Sequence, residues 1–160
     1  GRAFKASSLS TDWTVGDLSS ASTRLGQSPL RSPSVFNFFR PGYVPPNTAI
    51  AEADLVAPEF QITSESSVIG FLNFFQRLLE GGVGDLTADY TSLMPLADDA
   101  ASLADELNLV LAANRLGSAT LATIVAAIDS MPKGTAASRL NRIKATLMLV
   151  MAAPENLVQK

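Results

Sequence analysis

Apolar positions recur with a helical period over most of the chain beyond residue 62, and hardly at all before it. Val68, Phe71, Leu72, Phe75, Leu78 and Leu79 follow one another at spacings of three and four, which predicts an amphipathic helix. Thr63 or Ser64 is placed to cap its start, and Gly81 and Gly82 to end it. Residues 83 to 94 read as a connection. Pro95 then predicts a second helix running to about Asn114, with Leu96, Ala100, Leu103, Leu107, Val110 and Leu111 turned inward. Gly117 is expected to close that helix and Ser118 to open a third, with Leu121, Ile124, Val125 and Ile128 inward. A turn at Met131-Pro132-Lys133-Gly134 leads to a fourth helix capped by Thr135. It carries Leu140, Ile143, Leu147 and Val150, with Arg139 and Arg142 on its wetter side. A short turn from Ala153-Pro154-Glu155 to Asn156-Leu157-Val158 finishes the pattern.

Residues 1 to about 62 have no sustained period and are rich in serine, proline and glycine. Leu18 to Leu25 predicts one turn, closed by Gly26. Ser32 followed by Pro33 predicts another, over Val35 to Phe39, before Pro41. The expected fold is therefore all-α: a bundle of about four main helices over 63–160. An irregular, proline- and aromatic-rich arm over 1–62 is packed across it, the two together making one domain or a fragment of a longer protein.

Composition narrows the function classes. Hydrophobic residues make up 47% of the 160 and charged residues 17%, so a folded core is expected. With so few charges to cover the surface, part of the apolar excess is expected to face missing sequence or a partner. The net charge is −3 and the basic residues are scattered, which argues against nucleic acid and anionic membranes. No apolar stretch reaches the roughly 20 residues of a membrane-spanning helix. The chain has no cysteine and no histidine. Disulfides, thiolate chemistry, the commonest general base and the commonest transition-metal ligand are thus missing, and a histidine-dependent serine hydrolase triad cannot be assembled. The chain opens Gly1-Arg2-Ala3-Phe4-Lys5, which is expected of a piece of a longer or processed protein.

Several motifs have bland readings. Asp98 and Asp99 suggest acid-base or metal chemistry, but both sit where carboxylates meet a helix dipole and favour capping. Asp105 and Glu106 read as a solvated face. Gly81-Gly82-Val83-Gly84-Asp85 lacks the lysine and hydroxyl ending of a phosphate loop and follows a helix, so a flexible turn is preferred. Asp85 and Asp89 lack the regular spacing of a calcium loop. Arg139 and Arg142, one turn apart, either grip an anion or pair with acidic side chains. Phe71, Phe74 and Phe75 read as core. No catalytic residue, metal site or cofactor is assigned.

The run SPSVFNFFRPGYVPP at 32–46 stands apart. Its prolines prevent regular backbone pairing, so it must dock onto something. Asn37, Arg40 and Tyr43 offer polar handles among Phe36, Phe38 and Phe39, a mixture enriched at recognition surfaces. Either Phe36 and Phe39 plug the bundle while Arg40 and Tyr43 bond nearby carbonyls, or the run is a recognition rim. Candidate binding residues are Asn37, Phe38, Arg40 and Tyr43, with Arg142 as a further clamp.

Five blocks in order carry a resemblance: Leu25-Gly26-Gln27-Ser28-Pro29; the 32–46 run; Leu55-Val56-Ala57-Pro58-Glu59-Phe60-Gln61; Asn114-Arg115-Leu116; and the tail from Ala153 to Lys160. They resemble the C-terminal part of the bacterial domain of unknown function family 1800. The resemblance implies a mostly helical, often exported protein of several hundred residues, whose long N-terminal portion is not in this chain. It also implies periplasmic or exported localisation, and partners in that N-terminal portion and possibly in a protein of family 1501, which looks like sulfatases and alkaline phosphatases. It carries no reaction. Two functions are expected in outline: a non-catalytic interaction or scaffold module, or the wall of a substrate pocket whose catalytic residues lie upstream.

Overall fold

A computed structural model describes residues 4–6 and 14–157. The fold is mostly helical, with four long helices: α2 (Glu65–Gly81), α3 (Ala100–Ala112), α4 (Ser118–Asp129) and α5 (Ala136–Ala152). Two short helices, α1 (Ala49–Glu52) and α6 (Pro154–Leu157), accompany them. The predicted tail turn is α6, and its Val158 lies outside the described residues. A minimal antiparallel ladder, absent from the sequence-based expectation, pairs β1 (Phe4–Ala6) with β2 (Leu86–Ala88) in the register Phe4 to Ala88 and Ala6 to Leu86. The chain forms two compact units, Thr14–Arg77 and Leu78 onward with the N-terminal strand, and their division falls inside α2.

In the second unit α3, α4 and α5 run up, down and up. Ala97 and Asp98, just before α3, meet Arg142 and Arg139 in the opening turns of α5, so these two helices run the same way. The core is the apolar seam between them: Leu103, Leu107, Ile128, Ile143, Leu147 and Val150 are all essentially inaccessible to solvent. At about 25 cal/mol per Å2 removed from water, this seam is the main stabilising contribution of the unit.

The helix boundaries follow from capping chemistry. Ser64 and Ser67 exchange side-chain and backbone bonds at the start of α2, so Ser64 is the capping residue of the two predicted. Thr135 and Ser138 form the same reciprocal box at the start of α5. The second helix departs from expectation. Met94–Leu96 is a 3-10 turn, and α3 begins only at Ala100, where the Asp99 carboxylate accepts from the amides of Ala101 and Ser102. It ends at Ala112, before Gly117, because Ala113 and Asn114 both turn left-handed (φ 51° and 59°). The buried Asn108 dictates this: its backbone carbonyl receives Asn114 N–H at 3.0 Å and its side-chain oxygen receives Leu116 N–H at 3.2 Å. Gly117 consequently occupies the capping position of α4, in extended conformation. Val110, predicted inward, is exposed, because the seam runs through Ala104 and Asn108 on the neighbouring face.

The glycine-rich stretch after α2 is a tight hairpin turn. Val83 and Leu86 exchange backbone bonds of 2.9 and 3.0 Å, so those two amides are already spent. Gly82 (φ +82°) has no room for a Cβ, which would lie 2.7 Å from the Leu86 carbonyl oxygen. Asp89 accepts from the Thr91 amide and hydroxyl. Next to it the Tyr90 hydroxyl donates to the Leu79 carbonyl at 2.5 Å. Burial, followed by the Glu80 charge, pushes the Tyr90 phenol up to about 12.

In the first unit Phe74 and Phe75 are buried on α2, with Phe71 stacked against Phe75 at 5.9 Å. The turn predicted at 18–25 forms, with Arg24 N–H bonded to the Ser20 carbonyl and Leu25 N–H to that of Leu18. It is held on α2 by Arg77 donating to Thr23 O at 2.5 Å and by Arg24 over the Phe74 ring. Gly70 lies directly beneath it.

Candidate functional site

The 32–46 run is shaped by successive turns. The Ser34 hydroxyl, where Ser32 was expected, accepts from Phe36 N–H, and the Ser34 carbonyl accepts from Asn37 N–H. Asn37 is left-handed (φ 65°), a conformation asparagine tolerates better than most residues. This single turn stays short of a helix. Arg40 N–H then donates to the Gln61 side-chain oxygen at 2.7 Å, and Tyr43 O accepts from Ala57 N–H at 2.9 Å. The run is thereby tied to the 3-10 turn Pro58–Gln61. Pro45 is buried, and its carbonyl accepts from the Thr48 hydroxyl, which also caps α1.

Phe36 is 56% exposed and fills no core; Phe38, Phe39 and Tyr43 are half-buried, and Asn37 and Arg40 are exposed. Two open grooves flank the run. Asn37 and Phe38 line one of ≈ 440 Å3 together with Gln27, Ser28, Leu30 and Ser32. Arg40 and Tyr43 line another of ≈ 400 Å3 with Phe36, Pro41 and Val44. Four of the five residues singled out from the sequence therefore sit on these two concavities. Sequence reasoning missed Gln27, Ser28 and Leu30, although all but Leu30 fall in the LGQSP block. It also missed Leu30's left-handed backbone (φ 60°), unusual for so bulky a side chain, and its complete exposure.

The fifth residue, Arg142, is elsewhere and is not on a wet face: its side chain is completely enclosed. Nε donates to Ala97 O at 2.6 Å, and Nη1 donates to Ile128 O and, at 3.1 Å, to Met131 O. Nη2 lies 3.6 Å from Asp129 Oδ1, within ion-pair range but beyond a hydrogen bond. The guanidinium thus closes the C-terminal end of α4 and ties it to the segment before α3. A substrate clamp needs an open face, which Arg142 lacks.

The acidic pair divides its work. Asp99 caps α3, while Asp98 receives Arg139 Nε at 2.7 Å and the Gly134 amide at 3.1 Å. The hydrogen bond from Arg139, then that from Gly134, holds the Asp98 carboxyl below its usual range. Among the described residues no three or more acidic side chains converge as a cation site, and no helix is long and apolar enough to cross a membrane.

Residues 3–158 match the family model described as protein of unknown function (DUF1800). The chain belongs to that family. No curated protein and no solved structure matched it. The DUF1800 match spans residues of both compact units.

Proposed function

We propose that this chain is a C-terminal helical interaction module of a larger exported protein, with the grooved surface around Phe38, Arg40 and Tyr43 as its docking face. One observation carries the reading. Of the twelve large hydrophobic side chains exposed among the described residues, eight fall between Leu25 and Phe60. Scattered exposed apolar residues are ordinary, but their concentration around aromatic and guanidinium groups is the composition of a recognition surface. The upstream part of the parent polypeptide is the foremost partner, and a protein of family 1501 the second. The test is alanine replacement of Phe38, Arg40 and Tyr43 in the full-length protein, followed by purification from native cells. Loss of co-purifying protein, or loosening of the upstream portion in limited proteolysis, is expected. Unchanged capture and unchanged protease sensitivity would sink the proposal.

A second reading is favoured by the polar lining of the larger groove, where Gln27, Ser28, Ser32 and Asn37 offer amides and hydroxyls. On it, the groove is one wall of a substrate pocket completed by upstream catalytic residues. Turnover of phosphate or sulfate esters by the full-length protein, abolished by Asn37→Ala in that groove, would support that alternative.

A further inference from the structure

We infer that the occupant of these grooves is an acidic stretch of polypeptide bearing bulky apolar side chains, an inference that rests on the docking reading above. The charge distribution is the first support. Between Leu18 and Ala51 the sequence has three arginines, Arg24, Arg31 and Arg40, and no aspartate or glutamate, in a chain whose net charge is −3. Arg24 is engaged with Val15 O and the Phe74 ring. Arg31 reaches only the exposed Asp17 at 3.8 Å, a geometry that contributes little in water. No described residue pairs with the Arg40 guanidinium, which borders the second groove.

Apolar display is the second support. Phe36 faces one groove and Phe38 the other across the left-handed Asn37, so the run forms a ridge with an aromatic ring on each side. Leu30 projects fully into solvent at the rim of the first groove, from the left-handed third position of a turn that Arg31 N–H closes on the Ser28 carbonyl. A partner that buries these rings and brings carboxylates to Arg31 and Arg40 satisfies both features. A basic or purely polar segment satisfies neither, since like charges facing one another across an interface are disfavoured. Because the groups sit in open grooves and not in sealed pockets, the charge term acts mainly on encounter and register.

The experiment places a photo-reactive benzophenone side chain at Phe38 of the full-length protein, irradiates native cells and sequences the cross-linked segment. The expected product is a peptide with aspartate or glutamate within a few residues of a large apolar side chain. Arg40→Glu should lower the cross-linking yield about tenfold, the scale of one lost charge pair at an interface. Arg40→Gln should lower it less, and Arg40→Lys should retain most of it. Since Arg40 is exposed, unchanged circular dichroism of these variants is expected and is checked alongside. A neutral or basic segment, a lipid adduct, a second copy of this chain joined through a non-acidic stretch, or a yield indifferent to Arg40→Glu overturns the inference while leaving docking intact. No cross-link at all removes both.

Discussion

Arg142 shows how far a residue's role depends on what surrounds it. On sequence it is one of two arginines a helical turn apart; in the fold one is half-exposed on a carboxylate and the other is sealed among carbonyls. Replacing Arg142 with Met leaves the Ala97 carbonyl, buried in this contact, without its donor, at a cost of about 1–3 kcal/mol. It also removes the side-chain ties to Ile128 and Met131, although Ile128 O keeps the Met131 N–H. A large fall in the urea midpoint is expected, and Arg142→Lys should not restore it, because one ammonium lacks the planar fork that serves both sides. Asp98 gives a prediction of different form. Its folded-state carboxyl titrates below its unfolded value of about 3.9, so its contribution is complete above that pH and is lost as acid takes the solution down through the folded value. Asp98→Asn should therefore flatten the decline of melting temperature below about pH 4 while changing the profile little in shape near neutrality. An unaltered acid limb would show that the Arg139 pairing adds nothing to the linkage.

At the scale of elements, the sequence was legible wherever period and cap agreed. Ser64 and Thr135 with their partners three residues on, the inward Leu103, Leu107, Ile143 and Leu147, and the turn before Thr135 are where the pattern puts them. Misplacements arose where a tertiary bond outweighed a local signal. Pro95 looked like a helix start, yet Asp99 supplies the side-chain cap; Gly117 looked like a stop, yet buried Asn108 ends α3 earlier through Leu116. The grooves were legible only as composition, since neither Ser34's turn nor Gln61's reach across 21 residues leaves a periodic trace. The seating of the 18–25 turn on α2 was likewise invisible. At Gly70 an added Cβ would run into the backbone of Ala21 and Ser22, which cannot swing aside as a side chain can. Gly70→Ala should cost about 1–3 kcal/mol through overcrowding, even though alanine is the better helix former. Faster amide exchange over 18–26 is the measurement, and unchanged protection would refute the close seating.

Over the molecule as a whole, core and display are separated along the chain. The fully enclosed side chains lie almost wholly between Ala97 and Val150, and the exposed large apolar ones are concentrated before residue 61. Stability and surface behaviour should therefore respond to different substitutions. Leu30→Ser with Val35→Ser, at side chains 103% and 95% exposed, should shift unfolding by no more than about 0.5 kcal/mol. The same pair should reduce concentration-dependent light scattering; a marked loss of stability would mean that these residues support the fold. The guanidinium of Arg142 also fixes where this chain can grow. Because it grips carbonyls at both 128 and 131 while Asp98 holds the amide of 134, the stretch between α4 and α5 has a set length. Inserting a single residue there would move one grip out of reach of the other, so that corner does not accept a linker or affinity tag.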